Sequence, residues 1–354
     1  MKTPTRDELL STPVRQIDFD SINTVSELVE AMKHSSIQSR NIGKCVSVYE
    51  NMLENATRPT IIMGLSGALI AGGMRKIIRD MIERGIVDCL VSTGAIMYQD
   101  FYQALGHNHY RGHPEADNLL LREHFIDRIY DTYVDEGKFR ETDSLIGTLT
   151  EELEPRGYST REFLFFLGKK AAERDPNSIL GTAYRHGVPI FVPALNDSSI
   201  GIGLTEYYAR NKGKPKMTID PIRDNYELTQ VKAKSGKTGV IYVGGGTPKN
   251  YINDVEVIAE VLGYGCEGHE YAFQITSATP HDGGLSGSTL DEAQSWGKLH
   301  REATKATVYV EATIGLPLIA GSVLQRMRDE GYLAGRKRVK FVWDGDEIEE
   351  VKLV

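Results

Sequence analysis

The chain has little cysteine. Cys45, Cys89 and Cys266 are the 3 in 354 residues, widely spaced and forming no CxxC. That excludes a disulfide framework and a thiolate zinc site, and it points to reduced cysteines in the cytoplasm. A basic excess is also missing: Lys and Arg number 41 against 49 Asp and Glu, for a net charge of −8. A general nucleic-acid binder needs surplus positive charge to neutralise phosphates, so that class is set aside. Long apolar runs are absent too. The longest lies around residues 315–324, too short to span a bilayer, and MKTPTRDELLSTPVRQIDF carries no apolar signal core. Neither membrane insertion nor export is expected. There is no repeat array or low-complexity linker. SGKTG at residues 235–239 mimics the end of a P-loop, but Val231 stands where the first glycine belongs and a strand pattern follows, which excludes nucleoside-triphosphate hydrolysis.

What is present is an ordinary globular composition, 40% hydrophobic and 25% charged, with enough material for a large core. Residues 1–58 read as an extended lead-in and then helices over 21–35 and 39–55, an N-terminal helical extension packed on a main body of residues 59–354. From residue 59 the chain alternates short apolar strands, small-residue turns and amphipathic helices: TIIMGLSG then ALIAGGMRKIIRDMIERG, IVDCLVSTG then AIMYQDFYQAL. After an irregular polar stretch over 106–185, HGVPIFVPALNDSSIG, TGVIYVGGGTPKNYINDVEVIAEVLG, YAFQITSATPHDGG and ATVYVEATIGLPLIAGSVLQRMRDEG continue the plan. The pattern predicts an α/β fold with a Rossmann-like, doubly wound, mostly parallel sheet. RVKFVWDGDEIEEVKLV alternates about Asp344 and Gly345 and reads as a closing hairpin.

Small polar residues cluster where strands end: 64–67, 92–95, 196–199, 244–246, 276–278 and 311–313. Ligands of open α/β sheets bind outside the carboxyl ends of the strands, so these turns predict a site for a dinucleotide or another extended ligand. His107, His109 and His113 lack the helical spacing or second cluster of a metal site, and no metal is expected.

One stretch concentrates chemistry: HDGGLSGSTLDEAQSWGK, residues 281–298. Thr289 and Glu292 fit a capping box, which predicts a helix starting near Leu290 with Glu292 and Trp296 one turn apart. Lys298 offers an amine for imine formation. Asp282 and Glu292 offer carboxylates for a cationic amine, Trp296 offers a π face, and His281 could move a proton. The bland alternative is a surface helix with a solvated lysine.

These residues carry a resemblance to the deoxyhypusine synthase family. LDEAQSWGK resembles that family's PDEAVSWGK, HDGGLSG its FDGSDSG and PALNDSSIG its PALTDGSLG, while GVIYVGGG, FQITSA and VYVEAT match in place. The resemblance implies an NAD-dependent transferase that oxidises spermidine to an imine, passes the aminobutyl unit to an active-site lysine and then to an acceptor amine. By match, Lys298 is the nucleophile. Asp282, Glu292, Trp296, Asn250, Leu285 and Ile202 occupy the substrate positions. Thr93, Gly94, Asp197, Gly244, Gly245, Gly246, Ser277, Ala278, Ser286, Glu311 and Ala312 would surround NAD. The family also implies a homotetramer with sites across subunit interfaces.

Departures fall in the substrate pocket. Leu285 and Ile202 stand where the family has aspartates, Asn250 where it has a histidine credited with proton handling, and Asp254 where it has an asparagine. Tyr98 and Gln99 replace glutamates, and Glu311 an aspartate. An unpaired ammonium buried beside Leu285 or Ile202 costs several kcal/mol, which points to an amine less fully charged than spermidine, or one held differently. A new acid, for example from the 107–117 loop, would restore a polyamine reading. The alternatives are a homospermidine-forming synthase using putrescine as acceptor and a non-catalytic NAD-binding homologue.

Overall fold

The structure, a computed structural model, describes residues 3–354; the first two residues of the anticipated 1–58 segment lie outside them. Six strands form the central sheet: β1 (Thr60–Leu65), β2 (Cys89–Ser92), β3 (Ile190–Phe191), β4 (Thr238–Val243), β5 (His269–Thr276) and β6 (Leu299–Tyr309). Every pairing is parallel and the spatial order is β6-β5-β4-β1-β2-β3. All six carboxyl ends therefore open on one edge. The chain leaves β1 in one direction, through β2 to β3, and returns to build β4, β5 and β6 on β1's other side. The reversal falls between β1 and β4, where open sheets take their ligands.

Strands β1 to β4 are buried along their whole length because both faces are covered, whereas β6 at the sheet edge, LHREATKATVY, is mostly half-exposed. Ile61, Met63 and Leu65 of β1 face one core with Ile241, Val243, Phe273 and Ile275. Ile62 faces the other with Val240, Tyr242 and Ala272, the alternation that a pleated strand imposes. Helices α1 (Val25–Lys33), α2 (Ile37–Glu54) and α3 (Arg75–Glu83) contribute Val29, Tyr49, Met52, Ile78 and Met81 to the first core. The segment over 68–74, expected as helix, is a turn region in which Gly73 takes φ +83°, so α3 starts only at Arg75. Next come α4 (Gly94–Ala104), α5 (Ser199–Arg210), α6 (Gly246–Val261), α7 (Leu290–Ser295) and α8 (Ala312–Asp329), all but α7 directly following a strand end or its turn. The tail forms the expected antiparallel hairpin, Val339–Asp344 against Glu347–Leu353, and packs Phe341 and Ile348 into the second core.

The reading of 106–185 as irregular is corrected. It holds an antiparallel sheet of Tyr110–Arg111, Thr132–Asp135 and Ile126–Ile129, and helices Glu136–Leu149, Thr160–Ala172 and Ile179–His186. The helix Glu136–Leu149 buries Glu136, Thr142, Asp143 and Gly147 with Ile146 as its one fully buried large apolar side chain, so polar and small residues fill much of its buried face. Among the described residues no helix is long and apolar enough to cross a membrane.

Candidate active site

The glycine turn after β4 is held from both sides. Gly245 donates to Ser66 Oγ at 2.9 Å and Gly246 to Ser286 Oγ at 3.1 Å. A Cβ on Gly245 would come within 2.6 Å of the Ser286 Cα, so only glycine lets the 281–289 loop close over the start of α6. Gln274, buried in β5, joins the pieces. Its amide donates to the carbonyls of Gly244 at 2.9 Å and Ser286 at 3.3 Å, and its Oε1 accepts from Lys249 Nζ at 2.9 Å.

Lys249 also donates to the Ser288 carbonyl. It is 1% exposed, and burial pushes its ammonium down to about 8, opposed only in part by the negative charge of Glu292. Neither Lys249 nor Gln274 was among the residues singled out from sequence. The signal available was a glutamine inside an apolar strand and a lysine three residues beyond a glycine turn.

Thr289 and Glu292 form the expected capping box at the start of α7. The backbone and hydroxyl of Thr289 hold the Glu292 carboxyl below its usual range. Gly297, at φ +71°, turns the chain out of α7, and Lys298 is then fixed by its N–H to the Ala293 carbonyl at 3.0 Å and its own carbonyl to His269 N–H at 3.2 Å. Its side chain is 14% exposed. Lys298 Nζ donates to Asp254 Oδ1 at 3.1 Å, and Asp254 Oδ2 accepts from Asn250 Nδ2 at 2.9 Å. Trp296 is 72% exposed, with its ring centroid 5.6 Å from the same Nζ.

A cavity of about 200 Å³ lies here, lined by Lys249, Asn250, Asn253, Leu285, Ser288, Ala293, Trp296 and Lys298. Four of the anticipated residues, Lys298, Trp296, Asn250 and Leu285, are thus brought together. Three are not in this lining. Asp282 accepts from the Thr279 N–H at 3.0 Å, Glu292 caps its own helix, and Ile202 stands exposed on α5. The acid facing the lysine comes from α6, as Asp254, and not from the 107–117 loop. His281 bonds Thr279 and lines no part of the cavity.

The anticipated cofactor residues sit along the carboxyl edge. Thr93 and Gly94 open α4, Asp197 lies exposed before α5, Ser277 and Ala278 follow β5, and Glu311 and Ala312 open α8. Thr93 and Ser198 start α4 and α5 without a side-chain cap, and Thr93 Oγ1 is buried with no partner among the described residues. Uncapped N–H groups along the carboxyl edge suit the phosphates of a dinucleotide. Glu311, by contrast, spends its carboxylate on the Thr313 N–H. Tyr98 and Gln99 face inward; Tyr98 is buried, donates to the Phe139 carbonyl at 2.9 Å and stacks edge-on with that ring.

The family model for deoxyhypusine synthase matches residues 27–323. A probable deoxyhypusine synthase 2 of Methanosarcina mazei is 48% identical over 345 residues, 96% of this chain and 97% of that one. A deoxyhypusine synthase-like protein of Coxiella burnetii is 42% identical over 325 residues, 91% of each. Among solved structures, a putative deoxyhypusine synthase from Entamoeba histolytica aligns with a TM-score of 0.59 at 18% identity, over 87% of this chain and 96% of that chain; at that identity it speaks for the fold.

Proposed function

The chain belongs to the deoxyhypusine synthase family, a family of transferases, and we propose that it moves an aminobutyl-type group from an amine donor to an acceptor amine through an imine on Lys298, with NAD as cofactor. The observation that carries this reading is Lys298 itself, a largely buried lysine whose nitrogen lies on a small cavity beside an aromatic face and a carboxylate.

NAD would supply the hydride acceptor for oxidising the donor and the donor for the final reduction. The turns at Thr93, Gly94, Asp197, Gly244, Gly245, Gly246, Ser277, Ala278, Ser286, Glu311 and Ala312 are the groups that would hold it. The protein's own part is to place the carbon next to nitrogen in the donor, to hold Lys298 within reach of it, and to keep water from the imine. Leu285 in the cavity wall favours a donor end without full charge, or one whose ammonium rests on Asp254 and the Trp296 face.

Ile202, Leu285 and Ile314 are exposed apolar side chains near the carboxyl edge. They favour a homo-oligomer, a tetramer by family, in which a second copy covers this edge; light scattering on the purified protein tests it. The unpaired cysteines fit the cytoplasm.

The test of the activity is direct. Spermidine, putrescine and related amines are incubated with NAD, and nicotinamide reduction and diamine release are followed. Lys298→Arg should abolish group transfer while leaving dinucleotide binding intact. Labelled spermidine then separates acceptors: label in homospermidine identifies putrescine as acceptor, label on a protein lysine identifies a protein. Dinucleotide binding with no turnover on any amine would leave a non-catalytic homologue.

A further inference from the structure

Lys298 Nζ has one hydrogen-bond acceptor among the described residues, Asp254 Oδ1 at 3.1 Å. The other groups nearby that could take a proton are committed. Lys249 donates to the Gln274 side chain and the Ser288 carbonyl, Glu292 is tied to Thr289, and Asp282 to Thr279. Asn250, one turn before Asp254 on α6, carries an amide that cannot titrate near neutral pH, and its Nδ2 holds Asp254 Oδ2 at 2.9 Å. One carboxylate oxygen is thus fixed and the other is aimed at the lysine. Asp254 is partly open, at 42% side-chain exposure, so it can pass a proton onward.

From this arrangement we infer that Asp254 is the catalytic acid–base group of Lys298, with Asn250 as its positioning residue, an inference that rests on the reading of Lys298 as the nucleophile. The step it serves is imine exchange. Lys298 starts as the free amine, Asp254 as the carboxylate and the donor imine in its protonated form. The Lys298 nitrogen forms a bond to the imine carbon of the donor as the π pair passes to the imine nitrogen. Now making four bonds, the Lys298 nitrogen gives a proton to Asp254 Oδ1. Asp254 returns that proton to the departing nitrogen as its carbon–nitrogen bond breaks and the Lys298 imine forms. One carbon–nitrogen bond replaces another, one proton moves, and no atom changes oxidation state. The ordinary resting role of such a pair, to hold an ammonium in place, is fulfilled by the same 3.1 Å contact and gives the competing account.

The two accounts differ in a reaction that needs no cofactor. Butanal condenses with a lysine amine to an imine and water, and borohydride fixes the adduct. Its rate at Lys298 is followed by peptide mass spectrometry in the full-length protein, with folding checked by thermal unfolding. Asp254→Asn should slow adduct formation by about 100-fold or more, the usual weight of a positioned acid–base group. Asp254→Glu should recover much of the loss, and formate should accelerate Asp254→Ala but not the wild type. Asn250→Ala should slow the reaction by a smaller factor with the carboxylate still present. Equal or faster labelling in a folded Asp254→Asn protein would overturn the role and leave the carboxylate as an anchor only. No labelling of Lys298 in the wild type would instead remove the nucleophile, and with it both this inference and the function it rests on.

Discussion

Burial decides the charge of Lys249. Its folded-state value of about 8 lies below the unfolded value of about 10.4, so between those two the unfolded chain holds more protons than the folded one. Stability therefore rises with pH across that window, and below about 8 the burial penalty is present in full. Unfolding free energies of the wild type minus those of Lys249→Met should increase from pH 8 to pH 10; a flat difference would place the charge elsewhere. Gly245 sets a second limit at this scale. Gly245→Ala brings a Cβ against the backbone of Ser286, which must move. Dinucleotide affinity, read by quenching or calorimetry, should fall at least tenfold while the fold persists. The Lys298 block could be read from sequence because its residues are adjacent in the chain. The Lys249–Gln274–Ser288 join and the Asp254–Lys298 pair could not, since they span separations of 25 to 44 residues and depend on how α6 is rotated against the sheet.

Short elements carry the chemistry, and their ends matter more than their lengths. Helix α7 has six residues, too few to be stable alone, so its cap and the buried Leu290 and Ala293 hold it. Thr289→Ala removes the cap and should cost about 1 kcal/mol; because Lys298 is pinned to Ala293, lysine labelling should slow as well. The cap was legible from Thr289 and Glu292 three residues apart. The elements over 106–185 were not. The small antiparallel strands there are two to four residues long and mostly half-exposed, so period-two alternation has no length in which to show. The segment Glu136–Leu149 hides its helix behind buried Thr142, Asp143 and Gly147.

Across the molecule, strand order decides where a ligand can bind, and order is not written in any one segment. The alternation of strands and helices, the buried runs such as TIIMGL and the small residues after each strand indicated a parallel sheet and its working edge. The reversal between β1 and β4 emerged only from the pairing. One buried ion pair helps to set that sheet. Arg58 reaches Asp88 at 2.7 Å, and Asp88 Oδ2 also accepts from Ile61 N–H at 2.9 Å at the start of β1. Arg58→Ala leaves Asp88 buried without its cation and should destabilise the fold by about 3–5 kcal/mol, measured by denaturant unfolding.

The measurement that bears most directly on the whole account is the site of covalent attachment during turnover. The protein is given NAD and spermidine, quenched with borohydride and digested, and the modified residue is located. An aminobutyl unit on Lys298, lost in Lys298→Arg, is the result expected. Attachment at Lys249 instead, or donor oxidation with no adduct on Lys298, would contradict it.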